Sequence, residues 1–395
     1  MPPIATPTLS RHIPRTVWLL GIVSMLMDIS SEMIHGLLPV FMVTVLAASA
    51  TTIGVIEGVA EATSLIVKVF SGALSDYAGK RKWLAVFGYG LAAITKPLFA
   101  LATGVGMVMS ARFIDRIGKG IRGAPRDALI ADVTPPGMRG AAFGLRQSLD
   151  TVGAFVGPLL AMGLMLLWAN DFRAVFWVAV IPAFLALAVL IFGVREPPRA
   201  APSQRISSPI SRAALRRLTR DYWWVVTIGA ALTLARFSEA FLVLRAQQSG
   251  LALALIPLVL IVMNVVYAAC AYPLGKLADK MRRRSLLALG IVPLIAADAL
   301  LAHAAQLPWI GAGLVMWGVH MAATQGLLAA MVADVAPADL RGTAFGFFNL
   351  ASGVAMLVAS ALAGVLWDQF GAAATFYAGA LFAGISLLLL LLRRD

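Results

Sequence analysis

The chain has 395 residues, of which 60% are hydrophobic and only 13% are charged, and its formal net charge is +13. A soluble domain is about half apolar and about a quarter charged, so this composition excludes a soluble globular protein. The basic residues lie in short clusters between apolar runs, which argues against nucleic-acid binding and is typical of membrane-protein loops. The single cysteine, Cys270, excludes an internal disulfide.

The apolar runs predict twelve membrane-spanning helices, because about 20 residues are needed to cross the hydrocarbon layer. The first run contains Asp28, Glu32 and His35 and no small-residue cleavage site follows it, so we expect a retained span rather than a signal peptide. The predicted spans are about 16–46, 52–74, 83–103, 106–130, 141–168, 172–194, 222–245, 252–275, 285–304, 308–333, 343–367 and 371–392.

The connections between these spans are alternately rich and poor in lysine and arginine. One side receives almost all of them, and the other receives only Arg173 and Arg245. This asymmetry predicts a multi-pass protein of the cell inner membrane with both termini in the cytoplasm. The residues assigned to the cytoplasmic side are Lys80–Lys82, Arg122, Arg126, Arg139, the seven arginines from Arg195 to Arg220, Lys276, Lys280, Arg282–Arg284, Arg341, Arg393 and Arg394.

The sequence contains an internal repeat. Residues 131–145, ADVTPPGMRGAAFGL, match residues 333–347, ADVAPADLRGTAFGF, at nine of fifteen positions, and residues 72–81 parallel residues 275–284 at nearly the same offset. Such a repeat indicates a duplicated six-span unit. We therefore predict an all-α integral membrane protein with twelve transmembrane helices in two pseudo-symmetric six-helix bundles, 1–194 and 222–395. A Pro-, Ser- and Arg-rich cytoplasmic linker, 195–221, would join them.

Three motifs resemble those of the major facilitator superfamily (MFS). The segment Gly72–Lys82 resembles the family's GxxxDRxGRRK signature, with Tyr77 in place of the usual arginine, and Arg112–Gly120 is similar to RxxxGxG. Gly144, Gly153, Gly157 and Pro158 reproduce G-x8-G-x3-G-P, which resembles the drug:proton antiporter branches. The resemblance covers the whole chain. It implies transport by alternating access, with the first, fourth, seventh and tenth spans lining a central cavity.

Two groups of residues are predicted to control the motion between states. Charged loop residues would form ion pairs that latch each half in an outward-facing state, and small residues of the fifth span would allow sliding contact. Solvated loops and ordinary small-residue packing are the respective alternatives. The candidates are Gly72, Asp76, Lys80, Arg81, Asp132, Asp279, Arg283, Asp334 and Arg341 in the loops, and Gly153, Gly157 and Pro158 in the span.

Several ionisable side chains lie inside predicted spans, where each costs about 2.5–3.5 kcal/mol at the helix centre. Asp28, Glu32 and His35 are spaced i, i+4 and i+7 and share one helix face. A carboxyl group that moves between an apolar wall and an arginine takes and releases a proton. The predicted proton-coupling residues are Asp28 and Glu32, with Arg112 as the competing cation, followed by Glu57, Glu61 and Asp150. The alternatives are a structural cluster around Arg112 and a wet outer mouth around Glu57 and Glu61.

The resemblance places a second set of polar residues at the substrate cavity. They are His35, Arg116, Arg236, Glu239, Asn264, His320, Gln325 and Asn349. Both signs of charge occur among them, so charge alone does not choose the substrate class. No metal-ligand set is predicted.

These observations predict a proton-coupled secondary transporter, most simply an exporter of small organic or amphipathic compounds that works as a monomer in the lipid bilayer without a cofactor. The sequence has no Walker A pattern, which argues against ATP drive, and no nucleophile motif, which argues against an enzyme. An importer of a metabolite or metal chelate, a metal-ion carrier and a transport-inactive receptor are the alternatives.

Overall fold

The computed structural model describes residues 13–78, 80–196, 216–278, 280–303, 306–337 and 340–392. Within these ranges the secondary structure is helical and contains no strand, which confirms the predicted all-α class. The helices before residue 197, called the N-half, are α1 Arg15–His35, α2 Leu38–Thr44, α3 Ala50–Ala78, α4 Arg81–Leu101, α5 Val105–Val133, α6 Arg139–Leu167 and α7 Phe172–Ala188. The helices after residue 215, called the C-half, are α8 Arg220–Ala235, α9 Ala240–Gln248, α10 Leu258–Ala278, α11 Arg283–His303, α12 Leu307–Thr324, α13 Leu327–Val335, α14 Arg341–Phe370 and α15 Ala372–Leu392.

Ten helical segments of the described chain are long and apolar enough to cross a membrane. The two remaining long helices, α3 and α5, have 29 residues each but carry several charged side chains. Their length is sufficient to span the hydrocarbon layer, and the charges are paired inside the protein or face a cavity. The twelve predicted crossings are therefore all present as helices.

Three crossings that we predicted as continuous are broken, which corrects the sequence-based spans 16–46, 222–245 and 308–333. The breaks lie at Gly36–Leu37, at residues 236–239, and at Gln325–Gly326, where Gly326 has the left-handed φ of 75°. Non-helical backbone at membrane depth is stable only where it is buried in protein or lines a water-filled cavity. Residues 236–239 and Gln325 line an internal cavity, whereas Gly36 and Leu37 are buried in protein.

The two halves meet closely along α3 and α14. A Cβ atom built on Gly54 would collide with the backbone carbonyl of Ser360, and one built on Gly58 would lie 3.0 Å from the backbone of Leu357. Small residues spaced four apart let two membrane helices approach this closely. These contacts lie near the connections 45–49 and 371, an end of the bundle that we call the outer end. The opposite end, which holds Lys80, Arg81, Arg139, Arg283 and Arg341, is called the basic end.

At the outer end, a carboxylate of one half binds the start of a helix in the other half. Asp368 of α14 accepts hydrogen bonds from the backbone N–H groups of Ala50 at 3.1 Å and Thr51 at 2.8 Å, the first residues of α3. The first N–H groups of a helix have no partner within the helix, and an anion placed there also interacts favourably with the helix dipole. Asp368 thus supplies a helix cap from the other half of the protein.

We expect Asp368→Ala to shift the protein toward a state that is open at the outer end. Loss of a helix-capping side chain costs about 1 kcal/mol, which changes a two-state population about fivefold. The measurement is the distance between spin labels at Ala169 and Gln248 in a Cys270→Ser background. The neighbouring change Gln369→Ala is the control, and an equal effect of both changes would contradict the capping role.

At the basic end the internal repeat is visible as two equivalent ion pairs. Arg81 contacts Asp132 at 2.5 Å in the N-half, and Arg283 contacts Asp334 at 2.6 Å in the C-half. Each pair joins the start of one helix to the end of another within the same half. A latch between the halves therefore stays a prediction. Of the other latch candidates, Lys80 and Arg341 are exposed. Asp279 lies outside the described residues, and so do the surroundings of Gly72 and the side chain of Asp76.

The glycines of α6 set its distance from α1. Cβ atoms built on Gly153 and Gly157 would lie 2.7 Å and 2.8 Å from the backbone carbonyl oxygens of Met25 and Ile29. Pro158 is buried beside them. The same built atoms would lie 3.0 Å from Cβ of Asp28 and 2.8 Å from Cβ of Glu32, so α6 packs directly beside these two residues of α1.

Gly157→Ala is expected to lower the free energy of unfolding by about 1–3 kcal/mol, because the new methyl group has no space against α1. Gly144→Ala is the matched control, since its methyl group would meet no atom within 4 Å. Thermal unfolding of the purified variants in detergent measures the difference. Equal melting temperatures for the two variants would show that α6 and α1 do not pack closely at Gly157.

Candidate functional site

A polar cavity lies between the two halves, in the middle of the bundle. It consists of adjoining volumes of about 290 Å³ and about 480 Å³, which share Glu32, Glu61, Lys119 and Asn264 in their walls. The larger volume continues toward the basic end, where Lys68, Arg126 and Gln147 line it. Pockets of about 300–1,000 Å³ hold small organic molecules. The cavity is therefore suited to a small-molecule ligand.

The broken crossing α8–α9 forms much of the C-half wall. All four non-helical residues, 236–239, line the cavity, and Arg236 and Glu239 bring both signs of charge. Phe237 and Trp317 lie beside them with ring centroids 5.9 Å apart. Met263, Met321 and Met356 complete an apolar surface. Because methionine side chains are flexible, such a surface adapts to ligands of different shape.

The N-half wall is charged because one face of α5 points into the cavity. Arg116 and Lys119 both line it, together with Asp28, Glu32 and His35 of α1, which confirms the shared face expected for α1. Lys119 is exposed to this space, and our sequence analysis did not select it. Its position three residues after Arg116 and seven after Arg112 on one helix was the available signal.

Arg112 lies behind this wall in a buried cluster. Its guanidinium donates to both carboxylate oxygens of Glu57, at 3.1 Å and 2.7 Å, and lies 2.6 Å from Nδ1 of His35. Because a guanidinium only donates, His35 accepts with Nδ1 and is neutral in this arrangement. Glu57 is only 1% exposed, which argues against the alternative that it lies in a wet outer mouth. We predicted that Arg112 competes with the proton for Asp28 and Glu32. In this structure Arg112 pairs with Glu57 instead.

A second buried network continues from the cluster to the cavity. Lys96 donates to Asp115 at 2.9 Å and to Ser31 at 3.1 Å, and Arg116 contacts Glu61 at 3.2 Å. Pairing of each charge is what makes ionised groups stable at this depth. Glu61 reaches the cavity surface and is one-third exposed, whereas Asp115 is 6% exposed.

The cavity surface also holds charged groups without close partners. Among the described residues, Glu32, Lys119, Arg236 and Glu239 form no ion pair within 4.0 Å. Two of these groups lie in each half, and each half supplies one acid and one base. Their hydrogen-bonding capacity is therefore available to a ligand that contacts both halves.

Toward the basic end the remaining carboxylates face arginines. Asp28 lies 3.9 Å from Arg122, and Asp150 forms an ion pair with Arg146 at 3.0 Å. Arg122 is buried with its guanidinium 4.7 Å from the ring centroid of Tyr89. Arg122 and Arg126, which we assigned to a connection on the cytoplasmic side, lie within a helix instead, because α5 continues to Val133. Arg122 contacts Tyr89 and Arg126 donates to Ser24 inside the bundle.

Two predicted cavity residues do not line the cavity. His320 is fully buried and lies 2.7 Å from the carbonyl oxygen of Gly290, so it packs between α11 and α12. Asn349 lies on α14 and is absent from both cavity walls, whereas Gln325 and Asn264 line the larger volume. Within the described ranges, no three His, Cys, Asp or Glu side chains lie close enough to hold a metal ion.

Comparison with known proteins places this architecture in a family. The chain is 34% identical over 388 residues to the uncharacterized MFS-type transporter MJ1317 of Methanocaldococcus jannaschii, covering 96% of this chain and 95% of that one. It is 28% identical to the multidrug resistance protein MdtH of Photorhabdus laumondii over 36% of this chain and 35% of that one. The crystal structure of the nucleoside transporter NupG (D323A mutant) superposes with a TM-score of 0.77 at 15% identity, covering 95% of this chain and 98% of that one. The sequence model of the Major Facilitator Superfamily matches residues 20–263 and 234–395, and this chain belongs to that family of membrane transporters.

Proposed function

We propose that the protein is a proton-coupled exporter of small amphipathic organic compounds, in which proton and substrate compete for the cavity. The observation that carries this proposal is Glu32, a carboxylate that faces both cavity volumes without an ion-pair partner among the described residues. A carboxyl group in such a place changes its protonation when a cation approaches or leaves. Lys119 and Arg236 lie on the same surface and supply the counter-charge.

Substrate binding would use both halves. Arg236 and Glu239 present a donor and an acceptor from the C-half, Glu32 and Lys119 do so from the N-half, and Phe237 packs against apolar groups. A molecule that satisfies both walls draws the halves together, and this differential binding is what drives a conformational change. The apolar aromatic and methionine surface supports an amphipathic substrate rather than a fully polar one.

The direction of access follows from the charge distribution. The cavity extends toward the basic end, and basic loops lie on the cytoplasmic side of bacterial membrane proteins. We therefore place the basic end in the cytoplasm of the inner membrane, with the cavity open inward. The units that rock would be the bundles 1–194 and 222–395, joined by the linker 195–221, within a monomer. Export is further supported by the similarity to a protein named as a multidrug resistance protein.

The test is transport into proteoliposomes that carry an imposed pH gradient. Ethidium, norfloxacin and salicylate provide a cationic, a zwitterionic and an anionic amphiphile. An exporter that exchanges substrate for protons accumulates its compound in an acidic lumen, whereas a symporter accumulates it when the outside is acidic. Accumulation only with an acidic exterior would overturn export in favour of an importer, and movement that ignores the gradient would overturn proton coupling.

A further inference from the structure

A carboxyl group lies isolated inside the C-half. Asp298, in the middle of α11, is 0% exposed. Neither of its oxygens has a hydrogen-bond partner among the described residues. An ionised carboxylate in such a place loses several kcal/mol of hydration without compensation, so the group holds a proton instead.

The neighbours of Asp298 offer no cation. A Cβ atom built on Gly379 of α15 would lie 2.7 Å from Oδ2 of Asp298 and 2.9 Å from Cε1 of Phe237. The carboxyl group therefore fits against α15 only because residue 379 is a glycine. Helix α15 has no charged residue between Ala372 and Leu392, and α12 contributes a single titratable residue, His320, whose Nδ1 lies against the carbonyl of Gly290. The other titratable residues of α11 lie at its two ends: Arg283 and Arg284 at the start, the first of them paired with Asp334, and His303 at the last position, where it contacts the Tyr377 hydroxyl.

An aromatic ring that lines the substrate cavity also lies close to this carboxyl group. Phe237 and Asp298 both approach Gly379, and Phe237 also lines the cavity, where its ring centroid lies 5.9 Å from that of Trp317. Phe237 belongs to the non-helical segment 236–239 between α8 and α9. The backbone of this segment is not helical: the N–H of Arg236 donates to Thr233 and that of Ser238 donates to the hydroxyl of Ser360. Movement of the ring therefore requires no helix to unwind. Arg236, the residue before it, already faces the cavity and is the cation that the carboxyl group would meet.

We propose that Asp298 is a second proton-binding site, shielded from the cavity by Phe237 in this arrangement, and that it exchanges its proton with the cavity when segment 236–239 moves during the cycle. This inference rests on the proposed proton-coupled function and adds a carboxyl group in the C-half to those of the N-half. Glu32 remains the group at which proton and substrate compete. Asp298 adds a coupled proton to each cycle.

Infrared spectroscopy tests the protonation state without reference to transport. In purified protein at pH 7, wild type minus Asp298→Asn is expected to show the carbonyl stretch of a protonated carboxylic acid. Phe237→Ala is expected to remove that band at pH 7, because water then reaches the carboxyl group and hydrates its ionised form, so the group loses its proton. A difference spectrum without the acid band would show that Asp298 holds no proton, and a band that survives Phe237→Ala would show that the ring is not its shield.

Transport measurement then separates a cycling proton from a fixed one. With the membrane potential clamped at zero, loss of one coupled proton lowers the maximal accumulation about tenfold for each pH unit of gradient. Asp298→Asn is expected to show this loss for the probe, among ethidium, norfloxacin and salicylate, that the wild type accumulates. Unchanged accumulation together with a lost acid band would identify a fixed structural acid and overturn the proposal. If the wild type ignores the gradient, the proposed function fails, and the infrared result still decides whether Asp298 binds a proton.

Discussion

Arg112→Gln is expected to lower the free energy of unfolding by about 3–5 kcal/mol, the loss found when one partner of a buried ion pair is removed. The substitution leaves Glu57, which is 1% exposed, as an uncompensated buried carboxylate. It also removes the donor that lies 2.6 Å from His35. Thermal and denaturant unfolding of the purified protein in detergent measure the change.

Two further variants distinguish the buried pair from charge loss in general. The double variant Arg112→Gln, Glu57→Gln removes both charges, so we expect it to recover a large part of the lost stability. Arg283→Gln breaks a pair of similar length that is about half exposed, and the expected cost there is only about 0–1 kcal/mol. Equal losses for Arg112→Gln and Arg283→Gln would contradict the assignment of Arg112 and Glu57 as a buried structural unit.

Glu32→Gln is expected to lower the maximal accumulation driven by the pH gradient about tenfold for each pH unit, while it preserves exchange of labelled for unlabelled substrate. The amide keeps the shape of the side chain but cannot bind or release a proton near neutral pH. Exchange requires only that the cavity binds substrate and changes the side to which it opens. Accumulation of substrate against its gradient also requires that a proton crosses the membrane in the opposite direction. Counterflow and gradient-driven uptake in proteoliposomes measure the two activities separately.

The matched control for this change is Asp171→Asn. Asp171 caps the N-terminus of α7 through the N–H groups of Arg173 and Ala174, far from the cavity, and asparagine caps helices equally well. We expect this variant to accumulate substrate like the wild type. Full accumulation by Glu32→Gln would remove Glu32 from the coupling mechanism, and loss of exchange as well would show that binding or folding requires the carboxylate itself and not only the shape of the side chain.

The number and type of helices could be predicted from the sequence because the apolar runs are long and the repeat is explicit. Equivalent ion pairs at Arg81 and Arg283 bear out that repeat in three dimensions. The break at residues 236–239 could not be predicted, because the sequence Arg-Phe-Ser-Glu contains neither glycine nor proline. It is stable because its polar groups face a cavity, a property of the assembled bundle rather than of the local sequence.

The candidate site was predicted in part. Helical spacing placed Asp28, Glu32 and His35 on one face, and this face lines the cavity. Spacing cannot tell whether a polar residue faces a cavity or a neighbouring helix, so His320 was placed wrongly. Similarly, the distinction between the buried Glu57 and the cavity-facing Glu61, four residues apart on α3, depends on which arginine of α5 lies opposite each of them.

Proton release on ligand binding is the most direct measurement of the central claim. Purified protein in a weakly buffered solution near neutral pH is mixed with the compound that thermal-shift screening identifies, and the pH of the solution is followed. The wild type is expected to release protons as the compound binds, and Glu32→Gln is expected to bind the compound while releasing fewer. Binding of the compound to the wild type without any proton release across the neutral pH range would contradict competition between proton and substrate in this cavity.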